Sequence, residues 1–489
     1  MNDEFKYYLK KTKEIGRISS FAESIAWVSG LPSLQLNEMI ICKDGQRGIV
    51  FGLNRNFAEV LMLNTKGIKT NLPVARTGHP LKIAVSQDIL GRIINPLGWP
   101  IDGLGPIGGK KIFLEIENPA PNIIQRARVK RHLETGVLKV DLLIPIGYGQ
   151  RELIIGDNKT GKTTFLLQTI ARQTERGTIC IYVAIGKRLL DLKMVENYLK
   201  TYSHFENVVI VASTAGTPSS LIFLTPYSAM SIAEFFRDQG NDVLIVFDDL
   251  TYHAKIYREI SLLLKRFPGR SSYPGDIFHI HAKLLERAGN IKYGDNKEVS
   301  ITALPVVDTL ENDISGYIQT NLMAITDGHI FFDIDEFRKG ARPAINIFLS
   351  VSRVGNQTLS PLEREVSRLI KQKLVEYRRV LDIAKFGVEL PKETQKVYDF
   401  GKKLEILFFQ EPHDVYKKEL QLFLIGLLLN NFWKEKSPQT MRNEIIKISE
   451  IFEKTIFPEI KDKIYQIRTV EDLVNLTGEL IPKMNLWLV

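Results

Sequence analysis

The sequence predicts an α/β protein, because three patterns of apolar residues follow one another along its 489 residues. Short apolar runs separated by turn residues occupy residues 1–82, which predicts an N-terminal β-barrel or sandwich. Strand and helix signals alternate over residues 83–358, which predicts a central domain on a parallel sheet. Helical periodicity dominates residues 359–489, which predicts a C-terminal helical bundle.

The individual elements follow from the local pattern of apolar and turn residues. The strands predicted in the first region cover 25–28, 39–41, 48–51 and 59–62. In the central region, strands are predicted over 178–185, 208–212, 243–247 and 345–349, and helices up to 176 and over 188–200 and 228–238. Beyond Pro361, apolar residues recur every three or four positions, as in an amphipathic helix.

A glycine-rich loop with the pattern G-x-x-x-x-G-K-T stands between the apolar run 153–155 and a helix-compatible segment. In that context the pattern predicts a phosphate-binding loop, whose glycines let N–H groups converge on phosphate oxygens. Lys162 is predicted to reach the β- and γ-phosphates and Thr163 to bind Mg²⁺. The residues predicted to bind nucleotide here are Gly156, Asp157, Asn158, Lys159, Thr160, Gly161, Lys162, Thr163 and Thr164.

Asp248 ends the apolar run 243–247. In phosphate-loop proteins an aspartate at a neighbouring strand end helps to hold Mg²⁺ through its water shell, so we predict this role for Asp248. Asp249 beside it could cap the following helix instead.

The residues that follow strand 178–185 argue against hydrolysis. A hydrolase needs a carboxylate or amide that orients the attacking water, and this strand end is the natural place for it. The chain has Lys187 there, and a protonated lysine is a poor proton acceptor. The site is therefore predicted to bind nucleotide without cleaving it, although Glu152, Asp191 or Glu311 could approach in the folded chain.

Composition and charge exclude several classes of protein. The two cysteines give no disulfide framework, and the N-terminal residues resemble neither a signal peptide nor a transit peptide. The longest apolar stretch, 420–429, is too short to span a bilayer, so any link to a membrane is expected to run through partners. The net charge of +9 is spread along the chain, which favours solvated lysines over a nucleic-acid surface.

Several stretches together resemble the alpha subunit of F-type ATP synthases, whose central domain is RecA-like. They are 150–157, 226–228, 234–238, 248–250, 268–270, 273–276, 284–288, 302–307, 325–328 and 350–355. The resemblance implies a ring of three alpha and three beta subunits around a central rotor shaft, with a peripheral stalk. It further implies that alpha subunits bind ATP or ADP with Mg²⁺ without turning it over, during proton-coupled ATP synthesis or hydrolysis.

The resemblance also implies roles for further residues. Arg353, at the end of a predicted strand, matches the arginine that enters the neighbouring beta subunit's catalytic site. Phe337 and Arg342 match residues that line the adenine pocket, and Gln410 lies where the family has a glutamine-containing segment of that pocket. The expected location is the cytoplasmic side of a bacterial-type cell membrane, as a peripheral subunit.

Two alternatives remain open from the sequence. The segment around Gln410 departs from the family pattern and few residues precede the predicted barrel, which also fits an F-type-like motor repurposed for motility or a surface apparatus. The positive charge fits a self-sufficient hexameric ATPase, such as a translocase or a secretion ATPase, but Lys187 argues against it.

Overall fold

The computed structural model describes residues 2–294, 297–384 and 390–487, which fall into two compact units. The first unit comprises Met1–Ala127, Gly177–Asp308 and Ile314–Thr326. The second comprises Arg128–Arg176, Thr309–Asp313 and Asp327–Val489.

The strands and helices are numbered in chain order. The strands are β1 (Gly16–Ala22), β2 (Ile25–Ser29), β3 (Glu38–Cys42), β4 (Arg47–Leu53), β5 (Ala58–Met62), β6 (Pro73–Pro80), β7 (Lys82–Val85), β8 (Arg92–Ile94), β9 (Ile112–Glu115), β10 (His132–Leu133), β11 (Ile146–Gly147), β12 (Glu152–Asp157), β13 (Ile179–Lys187), β14 (Val208–Thr214), β15 (Val243–Asp248), β16 (Gly289–Tyr293), β17 (Lys297–Thr309), β18 (Gly328–Phe332) and β19 (Val351–Ser352). The helices are α1 (Asp3–Thr12), α2 (Leu138–Leu143), α3 (Lys162–Glu175), α4 (Leu189–Tyr202), α5 (Ser219–Arg237), α6 (Leu250–Leu263), α7 (Ile277–Leu285), α8 (Tyr317–Ile325), α9 (Ile334–Arg338), α10 (Pro361–Ala384), α11 (Lys392–Leu407), α12 (Lys418–Leu429), α13 (Pro438–Ile451), α14 (Phe457–Ile464) and α15 (Val470–Trp487).

The first six strands form a closed barrel in the order β1-β2-β5-β4-β3-β6, and β6 pairs with β1 to close it. Ile18, Val28, Ile40, Val50 and Val60 belong to its apolar interior. The four strands predicted for this region are confirmed. Strands β1 and β6 are not visible in the sequence pattern, because serines and an arginine alternate with the buried residues of β1 and prolines bound β6.

The first unit also contains a parallel sheet in the order β17-β15-β13-β14-β8. Strand β15 is buried along its whole length, and its register aligns Ala184 with Asp248. The carboxyl ends of β13 and β15 therefore meet at one edge of the sheet. Helix α5 begins at Ser219, earlier than predicted, because burial of its apolar face outweighs the helix-breaking tendency of Pro226.

In the second unit, β12 pairs in parallel with β18, and β18 pairs antiparallel with β19. The strand predicted over 345–349 is wrong: Ile345 forms only an isolated antiparallel bridge with Phe332, residues 347–349 form a turn, and the next strand, β19, begins at Val351. The Asn346 side-chain oxygen accepts hydrogen bonds from the backbone N–H groups of Phe348 and Leu349, at 3.0 and 3.3 Å. These turn bonds compete with a strand ladder.

Helices α10 to α15 supply the C-terminal part of the second unit, and Leu362, Val366 and Ile370 form the buried stripe of α10. The predicted fold class is therefore confirmed: a barrel, a nucleotide-binding domain with a parallel sheet, and a helical C-terminal domain. Within the described residues, every helix is too short or too polar to cross a membrane.

Candidate functional site

The predicted phosphate loop connects the end of β12 to the first turn of α3. Gly156 has a φ of 155°, and a Cβ there would lie 2.2 Å from the carbonyl oxygen of Phe332, so the position requires glycine. Gly161 has a φ of 100° just before α3, a conformation that also favours glycine. The loop thus leads into the N-terminus of a 14-residue helix, where N–H groups and the helix dipole favour an anion.

Lys162 lies across its own loop. Its Nζ atom is 2.7 Å from the carbonyl oxygens of both Gly156 and Asp157. The Thr160 hydroxyl donates to the same Asp157 carbonyl, also at 2.7 Å. These bonds fix the loop, and they keep the ammonium group beside the backbone that would surround a phosphate.

The other loop residues divide into exposed and anchored ones. Asn158, Lys159 and Thr163 are exposed, whereas Thr164 is half-buried in the first turn of α3. The Asp157 carboxylate accepts hydrogen bonds from the Thr309 hydroxyl and, at 3.1 Å, from the Asn312 backbone N–H. That carboxylate therefore anchors the loop to the segment 309–313.

Phe337 and Arg342, the two predicted adenine-pocket residues, are in direct contact in the second unit. The Arg342 guanidinium carbon lies 3.7 Å from the centroid of the Phe337 ring, a cation–π arrangement. Its Nη1 donates to the Phe337 carbonyl oxygen at 2.9 Å. The Arg342 guanidinium therefore lies over the face of the Phe337 ring.

Gln410 is buried, with 3% of its surface exposed, and its amide is bonded inside the protein. Its Oε1 accepts from the Leu138 N–H at 2.8 Å, and its Nε2 donates to the carbonyls of Gly136 and Asp414. Its backbone N–H donates to the Arg342 carbonyl at 2.8 Å. A hydrogen bond from this amide to a base would require one of these bonds to break.

In the first unit, Asp248 stands at the end of β15 with both carboxylate oxygens engaged. Lys187 Nζ is 2.7 Å from Asp248 Oδ1, and the Tyr182 hydroxyl donates to Oδ2. The same Nζ is 3.3 Å from Asp249 Oδ2. The two carboxylates raise the pKa of Lys187, and burial raises the pKa of Asp249 to about 6.

Asp249 caps α6, as the sequence allowed, because its Oδ1 accepts from the Tyr252 N–H at 2.7 Å. Asp248, in contrast, has one contact on each oxygen, from Lys187 and from Tyr182, so a hydrated Mg²⁺ would have to share this carboxylate with them. The ammonium of Lys187 would also repel the metal at this strand end. Among the described residues, no group of three or more His, Cys, Asp and Glu side chains could hold a metal ion.

The three carboxylates left open by the sequence lie in different surroundings. Glu152 is fully buried, and Asp191 forms a bidentate ion pair with Arg188 at 2.8 and 2.9 Å. Glu311 is exposed in the segment 309–313 of the second unit. Sequence reasoning did not find the role of Tyr182, because nothing in the pattern shows that a buried tyrosine on β13 bonds Asp248.

Arg353 follows β19 directly and is exposed. Its backbone N–H donates to the Asp327 carbonyl oxygen at 3.0 Å. The Asp327 carboxylate in turn accepts from Arg151 Nε and Nη2 at 3.1 and 2.8 Å. The backbone of Arg353 is therefore held in place by hydrogen bonds, while its side chain is at the surface of the second unit. Asp327 and Arg151, which take part in these contacts, were not among the predicted site residues.

Comparison with known proteins shows the family of the chain. Residues 136–352 match the nucleotide-binding domain of the ATP synthase alpha/beta family, and residues 361–477 match the C-terminal domain of ATP synthase alpha/beta chains. The chain is 40% identical over 474 residues to ATP synthase subunit alpha of Caldanaerobacter subterraneus subsp. tengcongensis, covering 96% of this chain and 92% of the relative. It is 38% identical over 483 residues to ATP synthase subunit alpha of Neorickettsia sennetsu, covering 96% and 93%. The chain therefore belongs to the family of F-type ATP synthase alpha subunits.

Proposed function

We propose that this chain binds ATP or ADP without hydrolysing it and lends Arg353 to the catalytic site of an adjacent beta subunit. Three copies would alternate with three beta subunits around a central rotor shaft, with a peripheral stalk. The complex would couple proton transport to ATP synthesis or hydrolysis, and this chain would lie at the cytoplasmic side of the cell membrane, attached through its partners.

The observation that carries the proposal is the ion pair of Lys187 with Asp248 and Asp249. A catalytic subunit needs a carboxylate or amide near this strand end to orient the attacking water. Here the group is an ammonium, and the carboxylates raise its pKa, so it stays protonated and cannot accept a proton. Nucleotide binding without turnover follows from that chemistry.

The nucleotide would be held by the loop residues 156–164. The N–H groups at the start of α3 and the Lys162 ammonium suit the phosphates. The Phe337–Arg342 stack suits the base. Gln410 would support that stack through its bond to the Arg342 carbonyl instead of contacting the base.

Mg²⁺ enters the proposal through the exposed Thr163 hydroxyl, the group expected to coordinate it when nucleotide binds. The expected second contact, through water to Asp248, is disfavoured because Lys187 and Tyr182 occupy both oxygens. When bound, Mg²⁺ would neutralise phosphate charge.

The role proposed for Arg353 is that of an arginine finger, which stabilises negative charge on a transferring phosphoryl group. Two observations support this role: the Arg353 side chain is exposed, and its backbone N–H is held by the Asp327 carbonyl. An arginine finger needs an accessible guanidinium on a backbone whose position is fixed.

The purified chain on its own tests the nucleotide-binding half of the proposal. We expect it to bind a fluorescent ATP analogue and to release no phosphate above the buffer rate. The Lys162→Gln variant should bind at least about tenfold more weakly, a loss of about 1.4 kcal/mol, because the loop ammonium is gone. Lys396→Gln, at an exposed position of α11 outside the loop, is the matched control and should bind normally. Sustained hydrolysis by the chain alone would contradict the proposal.

A further inference from the structure

A single buried glutamine connects β12, the strand before the phosphate loop, to β19, the strand that Arg353 follows. Gln150 is fully buried, and its Oε1 accepts from the Gly147 N–H at 2.9 Å. Its Nε2 donates to the Ser352 hydroxyl oxygen at 3.1 Å and to Glu152 Oε2 at 2.7 Å. All these residues belong to the second unit.

Ser352 forms two further hydrogen bonds, one to Pro145 and one to the turn that follows Arg353. Its hydroxyl donates to the Pro145 carbonyl at 2.9 Å and accepts from the Gly355 N–H at 3.1 Å. A Cβ at position 355 would lie 1.7 Å from the Pro145 carbonyl oxygen, so the turn after Arg353 is packed without spare room. Ser352 is therefore a fixed point immediately before the arginine.

Glu152 lies at the other end of the Gln150 bond and is completely buried. Its Oε1 atom has no hydrogen-bond partner among the described residues. A Cβ at Gly328 would lie 2.6 Å from its Oε2, so the neighbouring backbone closes over the carboxyl. The charged groups that act on it electrostatically are Asp327 and Arg353.

We propose that Glu152 is a positioning residue for Arg353, and that it acts through Gln150 and Ser352. The proposal rests on the role proposed above for Arg353. It gives a role to a carboxyl that has no exposed surface and whose hydrogen-bond partner among the described residues, Gln150, is uncharged.

Burial favours the neutral form of this carboxyl. Burial raises the pKa of Glu152 well above its usual range, and Asp327 adds to that effect while Arg353 opposes it. A neutral carboxyl still accepts the Gln150 N–H bond, but it places no full negative charge beside the finger. An ionised one would attract the guanidinium back toward the core of the unit.

The test uses rings assembled from this chain with beta subunits and the rotor shaft. We expect Glu152→Ala to lower multi-site kcat about tenfold or more, since small misplacements of a catalytic group have effects of that size. Nucleotide affinity of the purified variant should stay within about twofold of the wild type. Glu152→Gln, which keeps the shape and the acceptor without a charge, should restore turnover and show the wild-type pH profile.

A second variant decides the outcome if Glu152→Ala does not fold. Ser352→Ala removes the acceptor of the Gln150 bond next to the finger and should lower kcat in the same way, whereas Ser367→Ala, at a buried serine in α10, should not. Wild-type turnover in Glu152→Ala or Ser352→Ala rings would overturn the positioning role, as would a Glu152→Gln ring as slow as Glu152→Ala.

Rings with Arg353→Ala are measured in parallel, and they distinguish the finger role of Arg353 from the positioning role of Glu152. If those rings turn over normally, the proposed finger fails. If they are inactive while the Glu152 and Ser352 variants turn over normally, the positioning role alone fails.

Discussion

Lys187 Nζ lies 2.7 Å from Asp248 Oδ1, and this ion pair joins the carboxyl ends of two adjacent parallel strands, β13 and β15. The pairing register places Ala184 opposite Asp248, so a lysine three residues further on reaches both Asp248 and Asp249. The chain thus supplies its own cation at the strand end where nucleotide hydrolases place a water-orienting group.

Lys187→Gln should destabilise the chain, because two neighbouring buried carboxylates lose their cation. Removing one partner of a buried pair costs several kcal/mol, but the Lys187 side chain is 25% exposed, so we expect about 1–3 kcal/mol. Urea unfolding at pH 7 measures the change. Lys193→Gln is the control, because that lysine is exposed on α4 and its partner Glu196 keeps the ion pair with Lys200, and equal stability of the two variants would contradict the structural role of Lys187.

The same ion pair predicts a weak effect of Mg²⁺ on nucleotide binding. Lys187 places a positive charge against one oxygen of Asp248 and the Tyr182 hydroxyl bonds the other, which weakens the attraction of that carboxylate for a hydrated cation. Removal of Mg²⁺ with EDTA should therefore change the Kd of the purified chain for ATP by less than about fivefold, or about 1 kcal/mol. Lys187→Gln should increase this dependence, and an Mg²⁺ effect of the same size in both proteins would exclude the explanation.

Two buried histidines predict a loss of stability in mild acid. His253 and His281 are fully buried and share a 3.2 Å contact between Nδ1 and Nε2, and burial lowers the pKa of His253 to about 4. Between pH 6.5 and 4, His253 binds a proton in the unfolded chain but not in the folded chain. The folded state is therefore destabilised progressively as the pH falls below 6.5, whereas above pH 6.5 His253 has no such effect.

We therefore expect the free energy of unfolding to fall by about 2 kcal/mol for His253 alone between pH 7 and pH 5. His253→Gln should flatten this part of the pH profile, whereas His204→Gln, at an exposed position, should leave it unchanged. A His253→Gln profile that still follows the wild type in slope would show that this histidine does not titrate as proposed.

Gln410→Ala should lower stability without changing the preference for the base. The substitution leaves the buried Leu138 N–H without its acceptor, which costs about 1–3 kcal/mol, whereas the Gly136 carbonyl keeps its bond from the Tyr416 N–H. Thermal unfolding, and the ratio of the Kd values for ATP and GTP, measure the two effects. A changed ratio with unchanged stability would mean that Gln410 reads the base directly, and Gln439→Ala on the exposed face of α13 is the control.

The sequence predicts those features of the site that depend on the local pattern of apolar and turn residues. The phosphate loop, Asp248 and Lys187 could be placed because each follows an apolar strand run. Sequence reasoning failed where a side chain changes the backbone, as Asn346 does by forming a turn in an apolar segment. It also could not show partners far apart in the chain, such as Gln150 with Ser352 or Gln410 with Leu138, because no periodicity encodes them.

The most direct test of the central idea is the turnover of rings that carry Arg353→Ala. The account predicts that multi-site ATP hydrolysis falls by about 10³-fold or more, as for other arginine fingers, while the purified variant binds nucleotide normally. Arg338→Ala, at an exposed arginine of α9, should leave turnover unchanged. Wild-type turnover in the Arg353→Ala rings would contradict the account.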